Sequence, residues 1–343
     1  MSLTNYQIKF LNLLEKHNKS QKNPLYKPGP YWDYKTKKIL YWLKKEGLND
    51  FRGLDSGVGT SYTDNMVVNI RKEIGSKGRM VGSFFSLPFF KKIFNEQLSI
   101  TKGLALDNLE LKDKSFNKLE KVISLVNKYK IENSVSHGCV QKTKINNKEY
   151  SILYLQLIER IENLSSIYNF NQINSIIEIG GGFGVNIHLL IQNFKNIKKI
   201  IYTDIFPNIF VGTEYLRSLY KDSVRDYSSF SELKEIKFAN NDDLEIICIP
   251  SWSLEKITSK VDKFHNASSF QEMTVAQVTN YKFLLDKILN KDLISLLIYK
   301  GWEKNNSLSA DQINKIYNNK LKNCRHIDLT AKDLWGLDNI NIS

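Results

Sequence analysis

Apolar and polar positions along this chain follow two different periods, and the change of period divides it. Near the start, Phe10, Leu11, Leu13 and Leu14 fall on one helical face within "MSLTNYQIKFLNLLEKHNKS". Residues 105–130 and "EYSILYLQLIERIENLSSIY" (149–168) show the same helical spacing. Beyond residue 172 short apolar runs take over: "INSIIEIG" (173–180), "KKIIYTDI" (198–205), "LEIICIP" (244–250) and "LISLLIYK" (293–300), with a further strand expected at "VDKFHN" (261–266). Such runs suit strands buried on both faces of a parallel sheet. Helical patterns separate them: "GVNIHLLIQNF" (184–194), "PNIFVGTEYLRSLY" with Pro207 near its start, and "TVAQVTNYKFLLDKIL" (274–289). Strand–helix alternation predicts an α/β fold, a Rossmann-like doubly wound sheet that binds ligands beyond the carboxyl ends of its strands. A mainly helical region precedes it, with a boundary that divides 1–148 from 149–343. Inside that first region "NPLYKPGPYWDY" reads as a proline-punctuated turn, and the glycines of residues 53–82 read as loops.

Composition adds little to the fold but narrows the setting. With 42% hydrophobic and 25% charged residues the chain has ordinary globular content, enough for a sizeable core. No apolar run approaches the about 18 residues of a membrane span, and the first residues lack a charged-then-apolar leader pattern. Cys139, Cys248 and Cys324 are odd in number, scattered and without a CxxC, which fits a reducing compartment. These features predict a soluble cytoplasmic protein. The net charge of +13 is unevenly placed: residues 1–150 hold 27 Lys and Arg against 14 Asp and Glu, while the remainder holds 22 of each. Either the first region has a solvated, lysine-rich surface, or it offers a face to an anionic partner such as a nucleotide, a phosphorylated glycan, a membrane surface or RNA.

The chemistry concentrates in "IIEIGGGFGVNIHLL" (176–190), where four glycines in five positions follow a strand that ends on an acid. Glycine in a strand-to-helix turn permits unusual dihedrals and close backbone approach, and the next helix offers unpaired N–H groups to an anion. A P-loop would need Gly-Lys-Ser/Thr, which is missing. The dinucleotide pattern G-x-G-x-x-G/A fails at Val185. What fits is acid-x-G-x-G-x-G, formed by Glu178, Gly180, Gly182 and Gly184.

That motif resembles the first motif of the class I S-adenosylmethionine (SAM)-dependent methyltransferases. In that family an acid at the end of the second strand binds both ribose hydroxyls, and Asp204 stands there; a carboxylate has two acceptor oxygens for two neighbouring donors. A narrower resemblance lies in "DKFHNASSFQEM" (262–273), which is similar to the D-x-x-x-N-x-x-S-x-x-E-M element of bacterial sugar O-methyltransferases. The glycine motif of that family also reads E-I-G-G-G. Its D-L-P after the second strand stands here as "DIFP", one residue longer, and "SVSHGCVQ" is weakly similar to an upstream glycine segment. The similarity spans residues 135–300; residues 1–130 match nothing in it.

The resemblance implies SAM as cofactor and assigns roles. Glu178, Gly180, Gly182, Phe183 and Gly184 would line the methionine end, Asp204 would hold the ribose, and Ile205 would lie near the adenine. Ser251 and Trp252, after the third strand, would flank that ring, although Trp252 reads equally as core. Asn266 ends the fourth strand where the sulfonium methyl should point, and Ser269, Gln271 and Glu272 follow at the mouth of an acceptor pocket. A sugar hydroxyl is a poor nucleophile and needs a base. Glu272 is the first candidate, or else an acid in the first turn of a helix favoured by the dipole. His137 is the alternative base; His265, within a strand, is a packed histidine or a third candidate, and His188 is structural. Tyr26, Tyr31, Trp32 and Tyr34 either stack on a sugar or pack around a turn. Asp242 and Asp243 are adjacent, but no metal-ligand spacing occurs, so no metal is expected. The expected activity is O-methylation of a sugar hydroxyl on a phosphate-bearing small-molecule or glycan acceptor. An RNA methyltransferase and a non-catalytic SAM-binding module are the alternatives; the lack of an N-P-P-Y element speaks against nucleic acid.

Overall fold

The computed structural model describes residues 3–52, 123–139, 143–145, 148–267, 269–298, 308–318, 325–326 and 339–342. The expected loops of 53–82, the stretch 105–122 and Cys324 lie outside the described residues; residues 123–128 are helical, as their spacing predicts.

The chain opens with helix α1 (Asn5–Ser20), started by a capping box in which Thr4 and Gln7 satisfy each other's exposed groups. Phe10, Leu11 and Leu14 are buried from it. The proline-punctuated stretch is not one turn. A single 3-10 turn covers Pro24–Tyr26, and α2 (Pro30–Glu46) then begins on Pro30. Proline is pre-set for the first helical position, where its missing N–H has no partner to lose. Trp32 therefore stands in the first turn of a helix. Tyr26 and Trp32 are buried, so both pack. A short hairpin, β1 (Thr143–Ile145) and β2 (Lys148–Tyr150), leads to α3 (Ile152–Ser165).

From there strand and helix alternate: β3 (Ser175–Ile179), α4 (Val185–Asn193), β4 (Lys199–Asp204), α5 (Asn208–Tyr220), β5 (Val224–Asp226) and β6 (Glu245–Pro250). Next come β7 (Val261–Ala267), α6 (Val275–Ile288), β8 (Leu289–Ile298), α7 (Ala310–Ile316), β9 (Arg325–His326) and β10 (Asn339–Ile342). The order across the sheet is β5-β6-β4-β3-β7-β8-β10-β9. The strands from β5 to β8 are parallel; β10 runs antiparallel to β8 and to β9. Every residue of β3 and β6 is buried, which is why their sequences read as unbroken apolar runs.

Order grows outward from β3 in both directions, through β4 on one side and β7 on the other. That reversal puts a crevice at the carboxyl ends of β3 and β7. The doubly wound sheet expected from the alternation is present, and the fold is Rossmann-like. Helices α3, α4 and α5 pack in succession, with α1 against α5, while α6 packs on α7 and on the Pro24–Tyr26 turn. Core residues of α1 and α2 join the same apolar cluster as the sheet. The N-terminal helices are thus anchored directly on the strand-bearing half.

Candidate cofactor and acceptor site

The glycine stretch forms the turn between β3 and α4. Gly180, Gly182 and Gly184 have φ of 71°, 62° and 84°, a region costly for any residue with a Cβ. At Gly180 a Cβ would also run into the Ser269 side chain, so the β7 side of the crevice leaves room for hydrogen only. Gly184 caps α4 without a side-chain bond, which leaves the first N–H groups of that helix to the turn.

Asp204, at the carboxyl end of β4, braces this turn. Its Oδ2 accepts the Gly182 N–H at 2.8 Å and its Oδ1 accepts the Ile205 N–H at 2.7 Å. Burial pushes its carboxyl up to about 7, a shift the two backbone bonds only partly oppose. Oδ1 also accepts from Asn208 Nδ2 at 3.4 Å, so Oδ2 keeps a free lone pair and Oδ1 would serve a diol only by giving up that long bond. Glu178 lies beneath the turn. Its Oε1 accepts from Asn186 Nδ2 at 3.1 Å, while Oε2 is buried with no hydrogen-bond partner and would stand 2.8 Å from a Cβ at Gly181. Desolvation raises this acid to about 7 as well.

The element at 262–273 resolves into separate jobs. Asp262 Oδ2 accepts the Asn174 and Ser175 N–H groups at 2.8 and 3.3 Å, fixing the start of β7 against β3. Asn266 ties the far ends together: its Nδ2 donates to the Ile179 carbonyl at 2.8 Å and to Ser269 Oγ, and its Oδ1 accepts the Phe270 N–H at 3.2 Å. Ser269 thereby sits under Gly180. Gln271 is buried, and its carbonyl accepts the Leu308 N–H at 2.9 Å. Glu272 is the member that meets α2, because its Oε2 accepts the Trp32 Nε1–H at 2.6 Å. Burial raises its pKa, while the Trp32 bond and the Lys35 charge work against that rise. The charge of Glu272 reaches Asp204 and adds to the upward shift there.

The remaining predicted residues spread around this centre. Ser251 is buried and Trp252 half-buried in the 3-10 turn Ser251–Lys256 that follows β6, with Trp252 Nε1 3.5 Å from the Tyr227 hydroxyl. Ile205 is partly buried against the core. Phe183 is 1% exposed and its ring meets Phe51 and Tyr215 edge-on at 5.6 and 4.9 Å, so only its backbone borders the turn. His137 stands edge-on to Tyr215 at 6.2 Å, on the side of Phe183. Burial, then the Arg52 charge, lowers its pKa. His265 is 2% exposed inside β7, with Nδ1 2.7 Å from Ser295 Oγ and Nε2 4.0 Å from Glu178. Burial, with Lys263 and Arg160 nearby, holds it neutral, which makes it a packed histidine. His188 is structural: Nδ1 lies 2.7 Å from the Tyr220 hydroxyl and Nε2 3.1 Å from the Glu132 carbonyl.

The structure thus gathers Glu178, Asp204, Asn266, Ser269 and Glu272 at the carboxyl-terminal edge of the sheet, over the central strands β4, β3 and β7, with His137 beside Tyr215 of α5. Trp32, which the sequence places in a turn, joins that edge, and so does Lys35, which the sequence did not single out. Among the described residues no group of three or more His, Cys, Asp or Glu is placed to hold a metal, and no helix is long and apolar enough to cross a membrane. An open groove of about 690 Å³ that includes Asp222, Arg225, Phe230 and Lys237 lies away from this edge, where β5 and β6 begin.

No family model matches the chain, and no curated protein matches it. Among solved structures, magnesium protoporphyrin IX methyltransferase from Synechocystis PCC 6803 with bound SAH is similar over 68% of this chain and 94% of its own, at 9% identity and a TM-score of 0.39. The pyocyanin biosynthetic protein PhzM is similar over 56% of this chain and 57% of its own, at 8% identity and a TM-score of 0.38. The mitomycin 7-O-methyltransferase MmcR is similar over 57% and 52%, at 11% identity and a TM-score of 0.27. The chain spans little more than half the length of these last two. All three likenesses are distant, and the fold rests on the strand order and register described above.

Proposed function

We propose that this protein is a SAM-dependent O-methyltransferase acting on a sugar hydroxyl of a phosphate-bearing acceptor in the cytoplasm. One observation carries the reading: a turn of three positive-φ glycines at the switch point, braced by a buried aspartate from the neighbouring strand. The first N–H groups of α4, which no side chain caps, suit the methionine carboxylate, and Asp204 offers a ribose diol the free lone pair of Oδ2 and, in place of the long Asn208 bond, its Oδ1. SAM supplies an electrophilic methyl on a sulfonium when bound. The protein's own work is alignment and proton removal. Glu272 would take the proton that the acceptor hydroxyl loses on methylation. Burial raises the basicity of that carboxyl, which suits the task. Residues 1–148 serve as the acceptor-binding cap, and their excess of Lys and Arg supports a phosphate-bearing acceptor.

The test begins with thermal unfolding. SAM or SAH at about 100 times Kd should stabilise the fold by about 2.7 kcal/mol, and NAD should not. Nucleotide-sugars and surface-glycan fragments are then screened with methyl-labelled SAM. Absence of any shift with SAM or SAH would end the cofactor assignment.

A further inference from the structure

Trp32 is separated from Glu272 by 240 positions, yet its indole makes the closest polar contact to that carboxylate. The local build explains how. Gly29 caps α2, its carbonyl accepts the Trp32 N–H at 2.9 Å, and its backbone lies against the Glu272 carbonyl, where a Cβ would come within 3.3 Å. The first turn of α2 is therefore pressed onto the 3-10 turn Phe270–Glu272. The Trp32 side chain is 9% exposed, too enclosed to stack on a ligand. Among the described residues the second oxygen of Glu272, Oε1, accepts no hydrogen bond.

Resting on the proposed reaction, we propose that Trp32 is a positioning residue: its N–H fixes Oε2 of Glu272 and leaves Oε1 as the oxygen that takes the acceptor's proton. A carboxylate on a short turn has free rotation about its last bonds, and one strong bond to a rigid, buried indole removes it. The step balances. The hydroxyl oxygen gains the methyl, sulfur becomes a neutral thioether, and the carboxylate becomes a neutral acid. The charged groups that act at Glu272 are Lys35 on α2, with Nζ 6.0 Å from the Trp32 ring, and Asp204 at the end of β4.

Two measurements test this. In the first, the protein is labelled at its indole nitrogens, and the Nε1–H resonance missing from Trp32→Phe identifies Trp32 among the five tryptophans. In the parent that resonance should move with pH as Glu272 titrates; in Glu272→Gln it should persist without titrating. A pH-independent resonance in the parent overturns the proposal. In the second, turnover is followed against pH with the acceptor found by the screen. Trp32→Phe keeps the ring and loses the donor that favours the carboxylate form, so the acid limb of kcat should move up by about one pH unit, with cofactor affinity unchanged. A uniform loss at all pH values with the limb unmoved would reduce Trp32 to packing. If Glu272→Gln turns over normally, the assignment of the base fails first and takes Trp32 with it.

Discussion

Asp204→Ala is the sharpest perturbation of the candidate site, because one carboxylate is asked to do two jobs. In the ligand-free fold its oxygens hold the Gly182 and Ile205 N–H groups at 2.8 and 2.7 Å. In the complex one ribose hydroxyl would take the free lone pair of Oδ2, and the other would replace the 3.4 Å bond from Asn208 to Oδ1. Hydrogen bonds to a charged group contribute about 1.5 to 3 kcal/mol each, so losing both should weaken SAH binding by at least about 3 kcal/mol, roughly a hundredfold. A second signature follows from the carboxyl's elevation to about 7 by burial. Below that pH the group is protonated and cannot accept from both hydroxyls, so parent affinity should fall as pH drops, by about tenfold at pH 6. The assay is calorimetric titration with SAH from about pH 5.5 to about pH 8, a range that brackets the carboxyl's midpoint. Asp204→Ala should bind weakly with a flat pH response, and Asp204→Asn, which retains one acceptor, reports whether the turn itself survives. Binding within about threefold of the parent, or a pH slope that persists in Asp204→Ala, would refute the ribose role.

Glu178 gives a prediction about stability. Its folded pKa of about 7 lies above the ordinary 4.5, so the folded state holds a proton that the unfolded chain has released; stability should fall as pH rises across that interval and level off above it. At about 1.4 kcal/mol per pH unit the fall attributable to Glu178 is at most about 3.5 kcal/mol, and Glu178→Gln should remove it; urea midpoints that run parallel in parent and variant between about pH 4.5 and about pH 8 would show that the carboxyl is solvated. The charge asymmetry gives another: the KM for a phosphate-bearing acceptor should rise with ionic strength while that for SAM changes little, equal insensitivity would indicate a neutral sugar, and labelling of RNA with a steep salt dependence would favour the nucleic-acid alternative.

The strands were legible because each carries a local signal. β3, β4 and β6 are short apolar runs, and the helices between them keep a period of 3.6, so their order and type follow without tertiary knowledge. β5 escaped because three residues, "VRD", carry no periodicity. The glycine turn was legible for a stronger reason: positive φ at alternate positions excludes nearly every other residue, and the chain has to declare it in its sequence. The proline stretch misled in the opposite direction. Pro30 marks a helix start as naturally as it marks a turn, and only the packing of α2 decides between the two.

The site residues divide along the same physical line. Asp204 was predictable because a strand end fixes where its side chain goes. For the residues around Glu272 sequence position fixes much less. Ser269 and Gln271 were expected at a pocket mouth, but the 3-10 turn after β7 directs Ser269 beneath Gly180 and buries Gln271. Phe270 is buried against Phe264 and Tyr281, and α2 covers the turn only at Glu272. No periodic pattern connects residue 32 with residue 272, since a long-range contact between a helix start and a loop leaves no spacing to read. The usable sequence signal was weaker and chemical: an aromatic residue with a hydrogen-bond donor, set just after a glycine–proline helix start in a strongly basic region. Tryptophan buried from such a position needs a partner for its N–H, and an acid that cannot be fully solvated is the partner that gains most from it. That complementary need explains why the two meet, and why a base assigned from the strand end alone lacked the group that orients it.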